Sequence, residues 1–391
     1  MDDTINNKMQ ENAVQVDVSH SLANIEQDTW NQLAGPQNPF LQHQFLVALE
    51  QHRCLQEYGW YPQHLLIEED SQLVAAMPMY VKDNSYGELV FDWSWADAYQ
   101  RNGLPYYPKL VTAIPYTPAT GPRLLIAPHV DRSHYARLLI KAATQHARQH
   151  NMSSMHWLFT NKMDTELLQQ QGMAMRLGCQ FHWHNQNYTS FDDYLQYFSA
   201  QKRKKIKRER RRVTEQDVTL EIRHGNEMTE ELWHIFHNFY SSTFERKSGM
   251  ATLSLAFFQE IGETMPDSIV IVFAKHAGQY VASAFNMRGS ETLYGRHWGC
   301  NEAFHSLHFE ACYYQGLDYC IEHGLHSFEP GAQGEHKISR GFLPTATWSA
   351  HWINDAQFRQ SIEQFVQHEQ SGMQHYIESL QAHSPFKTVN P

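Results

Sequence analysis

The chain has 391 residues, of which 42% are hydrophobic and 13% aromatic, so we expect a folded, enzyme-sized protein with two domains. Its five cysteines are scattered and include no C-x-x-C pair, which argues against a disulfide framework or a zinc cluster and predicts no metal. Residues 1–8 are polar and acidic, and no apolar run approaches the ~18 residues of a membrane helix. The sequence therefore predicts a cytoplasmic protein without a transmembrane segment.

The net charge of −11 is unevenly distributed along the chain. Residues 202–212 (KRKKIKRERRR) contain nine Lys or Arg and one Glu, which gives +8 in that segment and −19 elsewhere. An acidic body with one cationic segment favours a polyanionic partner, such as tRNA or a nucleotide phosphate, at that segment. A solvated helix face without a ligand is an equal alternative. The predicted polyanion-binding residues are Lys202, Arg203, Lys205, Arg208 and Arg212.

In the N-terminal half, residues 1–20 are predicted to be a disordered leader. Helices are expected at 25–33, 44–55 and 132–149, and strands at 64–79, 85–95, 123–126 and 154–159. Between residues 85 and 110, many aromatic side chains lie next to Pro and Gly, which suggests that they form the wall of a cleft. For any single aromatic residue, a position in the core or in a turn is the alternative. The residues expected to bind substrate there are Asp92, Trp95, Tyr106 and Tyr107.

A weak internal sequence repeat suggests that the chain contains a duplicated α/β unit. Residues 72–77 (QLVAAM) and 279–284 (QYVASA) share a pattern 207 residues apart. In both copies two strands are followed by a helix and a further strand. We therefore predict domains at 21–185 and 186–391, and position 156 becomes the counterpart of Glu329.

The second half is predicted to begin with a basic helix at 201–213 and to end with a C-terminal helix. Between them we expect strands at 218–222, 268–275, 280–288, 291–298 and 325–329, and helices at 229–243, 253–264 and 308–323. The last strand leads into 329–337 (EPGAQGEHK), where several proton-carrying or hydrogen-bonding side chains lie within nine residues. A polar β-turn is the simpler interpretation of such a glycine-rich loop.

The order of these elements resembles that of the Fem-type transferases, and several motifs resemble the Fem-like bacterial branch of the GNAT acyltransferase superfamily. The motifs are 85–88 (SYGE), 106–110 (YYPKL), 121–123 (GPR), 202–212, 295–299 (GRHWG) and 329–337. The resemblance covers roughly residues 15–380. It implies an α/β fold with mixed sheets, arranged as two tandem GNAT-like domains with a cleft between them. It also implies transfer of an acyl or aminoacyl group to an amine, with a peptidoglycan-precursor-like peptide as one candidate acceptor.

Amide formation requires a neutral amine, an oriented carbonyl and stabilisation of an oxyanion, which directs attention to the loop and the strand before it. Glu329, Glu335 and His336 are the predicted residues that position or deprotonate the amine, and Tyr294 is a fourth catalytic candidate. Glu310 is expected to be buried, either with a shifted pKa or paired with Arg296. The predicted substrate-binding residues are Arg296, His297, Trp298, Glu310, Gln333 and Lys337.

The donor is left open by the sequence. Residues 299–307 (GCNEAFHSL) lack the Arg/Gln-x-x-Gly-x-Gly/Ala loop that holds the pyrophosphate of coenzyme A in this superfamily. Fem-type enzymes use aminoacyl-tRNA, which agrees with the basic helix, so the donor is either an acyl-coenzyme A or an aminoacyl-tRNA. The alternative function is a non-catalytic protein that retains the fold and binds a peptide together with an anionic surface or nucleic acid.

Overall fold

A computed structural model describes residues 14–246, 249–332 and 334–387 as a mixed α/β protein. Among these residues, no helix combines the length and the apolar character needed to cross a membrane. The strands are β1 Val14–Ser19, β2 Trp60–Pro62, β3 His64–Glu69, β4 Gln72–Met77, β5 Tyr80–Lys82, β6 Lys109–Thr112, β7 Leu125–Ile126, β8 Ser154–Thr160, β9 Ala174–His184, β10 Val218–Arg223, β11 Ile269–His276, β12 Gln279–Arg288, β13 Thr292–Cys300, β14 Ser327–Glu329 and β15 Leu343–Ile353.

The helices cover both sides of the strands. They are α1 Gln27–Ala34, α2 His43–Gln51, α3 Trp93–Arg101, α4 Arg132–Gln149, α5 Lys162–Gln170, α6 Phe191–Gln196, α7 Ala200–Thr214, α8 Glu230–Arg246, α9 Leu255–Thr264, α10 Leu307–Phe309, α11 Gln315–Glu322 and α12 Ala356–Gln381. A π-helical segment, Glu310–Tyr314, joins α10 to α11, and a 3₁₀ segment, Glu335–Arg340, follows the predicted polar loop. The largest apolar cluster draws Trp30, Phe40 and Phe45 together with Phe257 and Phe258, so the two halves of the chain share a core.

Two long central strands, β9 and β15, hold the large sheet together. Its order is β10-β11-β12-β13-β14-β9-β15-β8-β6-β5-β2, and a separate sheet has the order β1-β3-β4-β7. β15 pairs antiparallel along β9, from Leu343 opposite His182 to His351 opposite Ala174. The second edge of β15 pairs with β8, and the second edge of β9 pairs with β14. The last strand of each half therefore lies against the opposite half.

The duplication predicted from the sequence is visible in the strand pairing. Each half contains an antiparallel hairpin (β3/β4 and β11/β12) and a parallel pair (β6/β8 and β13/β14). Phe328 lies opposite Trp183, and Met155 lies opposite Trp352 in the equivalent position. The equivalence of position 156 and Glu329 stays a prediction. The domain boundary at 185/186 stays a prediction.

Two expectations about the first half are wrong. Residues 14–19, predicted within a disordered leader, form β1, because they pair in register with β3 from Val14–Glu69 to Ser19–His64. Residues 1–13 lie outside the described part of the chain. The strand expected at 85–95 is absent: the chain from 85 to 92 is irregular and α3 begins at Trp93. The reason is Lys109, a fully buried cation whose Nζ donates to Glu88 Oε2 at 2.9 Å and to Asp92, which draws both acidic side chains inward.

Glu209, the one acidic residue of segment 202–212, anchors the basic helix α7. Glu209 is buried and accepts two 2.9 Å hydrogen bonds from Arg340 Nη2, and the hydroxyl of Tyr314 donates to the same carboxylate. The next residue, Arg210, donates to Glu310 at 3.0 Å and to Asp318 at 2.6 Å. These pairs fix α7 against the π-helical segment and orient its remaining cations outward.

Replacing Glu209 with Gln leaves the buried Arg340 guanidinium without a counter-charge, so we expect a loss of about 3–5 kcal/mol of unfolding free energy. The measurement is urea unfolding followed by circular dichroism. Asp192→Asn is the matched control, because its pair with Lys207 is exposed (78% and 57% of the side chains) and contributes little. Equal stability of the two variants would contradict a structural role for the Glu209–Arg340 pair.

Candidate active site

A cavity of about 400 Å³ opens where β13 and β14 separate. The two strands are paired in parallel only as far as Tyr294 and Glu329. Beyond that point β13 continues to Cys300, whereas the chain after β14 turns away through Gly331 and Gly334, whose φ angles are +92° and +118°. Such backbone angles favour glycine, so the two glycines of the polar loop create the opening.

A β-bulge in β13 directs Arg296 out of the ladder. Phe285 pairs with His297 and Asn286 pairs with Gly295, so Arg296 is the extra residue. Its Nη2 donates to the carbonyl of Tyr116 and approaches the hydroxyl of Thr117 at 3.3 Å. Arg296 thus reaches from the second half to a loop of the first half and lines the cavity on the way.

The wall of this first cavity carries cationic and aromatic groups. Lys337 is buried and donates to the carbonyl of Gly331 at 2.6 Å, and burial lowers the pKa of Lys337 to about 8. His336 lies 2.9 Å from the hydroxyl of Tyr313, and burial lowers the pKa of that imidazole. None of the described residues that line the cavity is Asp or Glu. The cavity therefore favours an anionic or strongly polar group.

Glu329 lies on the face of β14 that is turned toward the first half. Its neighbour Phe328 packs on Gly316 of α11, so the Glu329 carboxylate points the other way, and only 14% of this side chain is exposed. Burial raises the pKa of Glu329 to about 8, against the opposing effects of the Thr120 backbone and the cations Arg123 and Arg296. A carboxyl group with this pKa is suited to accept and release a proton near neutral pH.

A neutral histidine lies close to Glu329. Glu329 Oε2 lies 3.9 Å from His182 Nε2 and has no hydrogen-bond partner among the described residues. Burial lowers the pKa of His182 to about 3, and its Nε2 is held at 3.0 Å from Gln180 Oε1. Glu329 thus keeps one buried carboxylate oxygen without a hydrogen-bond partner among the described residues.

A second cavity, of about 630 Å³, meets the first at Arg296 and Ala332. Its floor is one face of the β9/β15 pair, including Gln180, Thr347 and Ser349, and its cover consists of α12 and residues 89–91. An ion pair closes the far side: Arg176 donates to Glu369 at 2.7 and 2.8 Å and to the carbonyl of Phe91 at 2.7 Å. Two ligands, one in each cavity, would thus meet at Arg296 and Ala332. Glu329 lines neither cavity, but its carboxylate interacts electrostatically with Arg296.

Most of the residues predicted around the loop lie at this junction. Arg296, His297, Trp298, His336 and Lys337 line the first cavity. Tyr294 lies beside Glu329, where its ring packs on Phe40 with centroids 5.3 Å apart and burial raises its pKa.

Two predicted residues of the same set lie elsewhere. Glu335 is turned toward α12 and accepts a 2.6 Å hydrogen bond from Tyr376. Glu310 pairs with Arg210 rather than with Arg296, because the π-helical segment presents it to α7. Gln333 lies outside the described residues.

The four substrate-binding residues predicted in the first half do not line these two cavities. Tyr106 donates to Asp92 at 2.5 Å, Tyr107 shares a 2.8 Å hydrogen bond with Ser85, and both rings lie near Lys109. Trp95 packs against His351 with centroids 4.9 Å apart. One carboxylate oxygen of Asp92 therefore binds both Tyr106 and Lys109, away from the two cavities.

The cations of α7 differ in their surroundings. Lys202, Arg203 and Arg208 have no ion-pair or hydrogen-bond partner among the described residues, Lys205 lies 3.8 Å from Glu209, and Arg212 lies 3.2 Å from His305. Lys205 is also among the charges that lower the pKa of His336, which places α7 beside the first cavity. Polyanion binding by these residues stays a prediction.

Sequence reasoning missed the residues that the β9/β15 pair supplies. Arg176, Gln180 and Ser349 reach the second cavity only through strand pairing over long sequence separations. Arg123, outside this pair, was also missed and interacts electrostatically with Glu329. Arg123 belongs to a quoted motif, GPR, and its guanidinium binds the carbonyls of Ala119, Pro122 and Leu158. The GPR motif was the one sequence signal for Arg123.

Solved structures support the fold of the chain. The crystal structure of FemX is 13% identical, with a TM-score of 0.51, over 87% of this chain and 98% of that one. The C-terminal domain of a putative lysylphosphatidylglycerol synthetase from Agrobacterium fabrum is 9% identical, with a TM-score of 0.52, over 86% and 94%. A protein of unknown function from Bacteroides thetaiotaomicron is 10% identical, with a TM-score of 0.51, over 87% and 100%. At these identities the likeness concerns the fold alone.

The family assignment rests on the sequence. No curated protein sequence matches the chain significantly. The model of the FemAB_like family, described as peptidoglycan biosynthesis/recognition, matches residues 21–388. This match confirms the resemblance and the mixed α/β fold predicted above. The chain therefore belongs to the FemAB_like family.

Proposed function

We propose that the chain joins an acyl or aminoacyl group, bound in the first cavity, to the amine of an acceptor bound in the second. The observation that supports this proposal is the meeting of the two cavities at Arg296 and Ala332, beside a carboxyl group with a raised pKa. A peptide related to peptidoglycan precursors is the proposed acceptor class, in keeping with the description of the family. The proposed location is the cytoplasm.

In the proposed reaction the amine nitrogen attacks the carbonyl carbon of the donor. A C–N bond forms, and the C–O or C–S bond to the donor's carrier breaks with its electron pair on the departing oxygen or sulfur. The ionised Glu329 carboxylate accepts the proton that the amine loses and passes it to that departing atom. Arg296 commits Nη2 to Tyr116 and Thr117, which leaves its other N–H groups for the developing oxyanion or for a substrate carboxylate. Lys337 supplies a positive charge on the donor side of the junction.

The donor is proposed to be polyanionic. The first cavity contains Arg296, Lys337 and three histidines without a lining carboxylate, and α7 offers further cations beside it. A volume of about 400 Å³ accommodates the transferred group and leaves a large carrier outside. Acyl-coenzyme A and aminoacyl-tRNA share this chemistry, and the experiments below separate them.

Glu329→Gln tests the proposed base. Because Glu329 is ionised only above a pKa of about 8, kcat/KM should rise as the pH increases through about 8 and be lost as the pH falls below it. The variant should lose this rise and at least about 10²-fold in kcat/KM, measured by mass spectrometry of the amide product. Glu335→Gln is the control, since that carboxylate is bound to Tyr376. Unchanged turnover in Glu329→Gln would exclude the assignment.

Lys337→Met tests the cation in the first cavity. Loss of a charge-assisted contact should weaken donor binding about tenfold or more. In the unchanged protein, donor affinity should fall as the pH rises through about 8, since Lys337 then becomes neutral. Titration calorimetry provides the measurement, and Lys162→Met, a change of a 91% exposed lysine, is the control. A pH-independent affinity that is equal in both variants would contradict the role of Lys337.

The triple change Lys202→Ser, Arg203→Ser and Arg208→Ser separates the two donor classes. If tRNA is the donor, filter binding should show weaker affinity and a salt-dependence slope reduced by about two to three. Affinity for acyl-coenzyme A should change little, because only the cavity binds it. Replacement of Lys141 and Lys162 in the first half is the control. If neither ligand binds the unchanged protein, the proposed polyanionic donor is wrong.

A further inference from the structure

A continuous row of hydrogen-bonding side chains, here called the polar row, leads from the second cavity to the surface of the first half. Ser349 lies on the floor of that cavity, with its Oγ 2.9 Å from His351 Nε2. His351 Nδ1 is 2.6 Å from His156 Nδ1, and His156 Nε2 is 2.7 Å from Ser154 Oγ. Ser154 Oγ is 3.2 Å from the Oγ of Ser153, which is partly exposed, whereas the other four residues are buried.

Every member of the polar row is able to donate one hydrogen bond and to accept another. Burial lowers the pKa of both His156 and His351, so both imidazoles are neutral at and above neutral pH. A neutral imidazole has one donor and one acceptor nitrogen, and a hydroxyl group both donates and accepts. All the hydrogen bonds can therefore point the same way, from Ser349 through the two histidines to Ser154 and Ser153. Such a row takes up a proton at one end as it releases another at the other end.

The charged groups around the two histidines prevent a proton from remaining on them. In addition to burial, Lys109 and Arg176 lower the pKa of His156, and the same two cations also act against protonation of His351. Asp92 acts in the opposite direction on His351, but the pKa of that imidazole is still well below its ordinary value. The pair is thus suited to pass a proton on rather than to store it.

The proposed reaction leaves one proton to be removed from the second cavity. A lysine-type amine has a pKa of about 10.4, so it arrives as an ammonium ion and loses two protons when it becomes an amide nitrogen. Glu329 passes one of them to the departing oxygen or sulfur. Residues 89–91 and α12 cover the second cavity, and the Arg176–Glu369 pair closes its far side. A bound acceptor therefore separates its own nitrogen from bulk water.

We propose that the polar row is a proton relay that carries this second proton from the acceptor to the protein surface. The N–H bond of the ammonium ion breaks and leaves its electron pair on nitrogen. Ser349 Oγ accepts the proton as its own hydroxyl proton passes to His351 Nε2, and the shift continues until Ser153 gives a proton to water. The inference rests on the proposed function, because it concerns the same acceptor, and it adds the route by which that amine becomes neutral.

Ser154→Ala interrupts the polar row at a buried position outside both cavities. Ser283→Ala is the matched control, since Ser283 is also buried and its hydroxyl has no hydrogen-bond partner among the described residues. The acceptors are ethylamine and 2,2,2-trifluoroethylamine at about pH 9, with acetyl-coenzyme A and alanyl-tRNA each supplied as donor. At this pH Glu329 is ionised and ethylamine is still an ammonium ion, whereas the fluorines keep the other amine neutral.

Ser154→Ala should lower kcat for ethylamine about tenfold or more and leave kcat for trifluoroethylamine unchanged, measured by mass spectrometry of the amide product. The reason is that only ethylamine must release a second proton. Ser283→Ala should resemble the unchanged protein with both acceptors. A merely structural role of Ser154 would lower both rates equally, and that result, or no loss with either acceptor, would overturn the proposal.

A second interruption provides an independent measurement. Ser349→Ala, at the cavity end of the polar row, should also reduce kcat for ethylamine more than kcat for trifluoroethylamine. The double variant with Ser154→Ala should lose no more than the more impaired single variant, because one interruption already stops the relay. Losses that multiply in the double variant would contradict a single route.

The outcomes distinguish the relay from the proposed function. Transfer to both amines that Ser154→Ala leaves unchanged would refute the relay and leave the transferase proposal standing. If the unchanged protein transfers neither donor group to either amine, both the proposed reaction and the relay are refuted.

Discussion

The pairing of β9 with β15 is the interaction on which the rest of the structure depends. Nine consecutive residue pairs, from Leu343–His182 to His351–Ala174, join strands that follow β8 and β14 in the chain but lie against the opposite half. Neither half completes its sheet alone, because the last strand of each half pairs with strands of the other half. The exchange also fixes the angle between the halves, and hence the place where Arg296 meets the loop of Tyr116 and Thr117.

The exchanged strands explain why chemistry is concentrated on one side of the sheet. Residues opposite each other on β9 and β15 point to the same face, so Gln180, Thr347 and Ser349 form a single polar floor. His182 continues this face and brings an imidazole near Glu329. At the equivalent position of the first half, His156 and His351 lie with their Nδ1 atoms 2.6 Å apart, fully buried. The duplicated unit thus retains an open polar site in one half and a closed polar core in the other.

The sequence predicted elements whose signal is local. The helix at 132–149 and the strand starting at Ser154 have the predicted positions, since their periodicity and end signals lie within the segments themselves. The dense polar loop likewise identified Lys337, His336 and Glu329 near the cavities. Asp92 and Tyr106 were assigned to a cleft because a carboxylate and phenol pattern looks the same whether it faces solvent or a buried lysine. No local pattern identifies Lys109 as the partner.

Features that arise from long-range pairing were beyond the reach of the sequence. β15 was not predicted, and its alternation is obscured because both of its faces and both of its edges are covered. The role of Glu310 depends on a π-helical turn that aims it at Arg210, and the role of Arg296 depends on a bulge in β13. Both irregularities shift a side chain to another face, which a regular helical or strand period does not anticipate.

The central claim is that Arg296 and Glu329 act on one reacting centre where the two cavities meet. A double-mutant cycle of Arg296→Lys and Glu329→Gln, read as kcat/KM for amide formation by mass spectrometry, tests it most directly. If both side chains act on the same transition state, the two losses should be non-additive, with a coupling of about 0.5–3 kcal/mol. Strictly additive losses, or full activity in Arg296→Lys, would contradict the account.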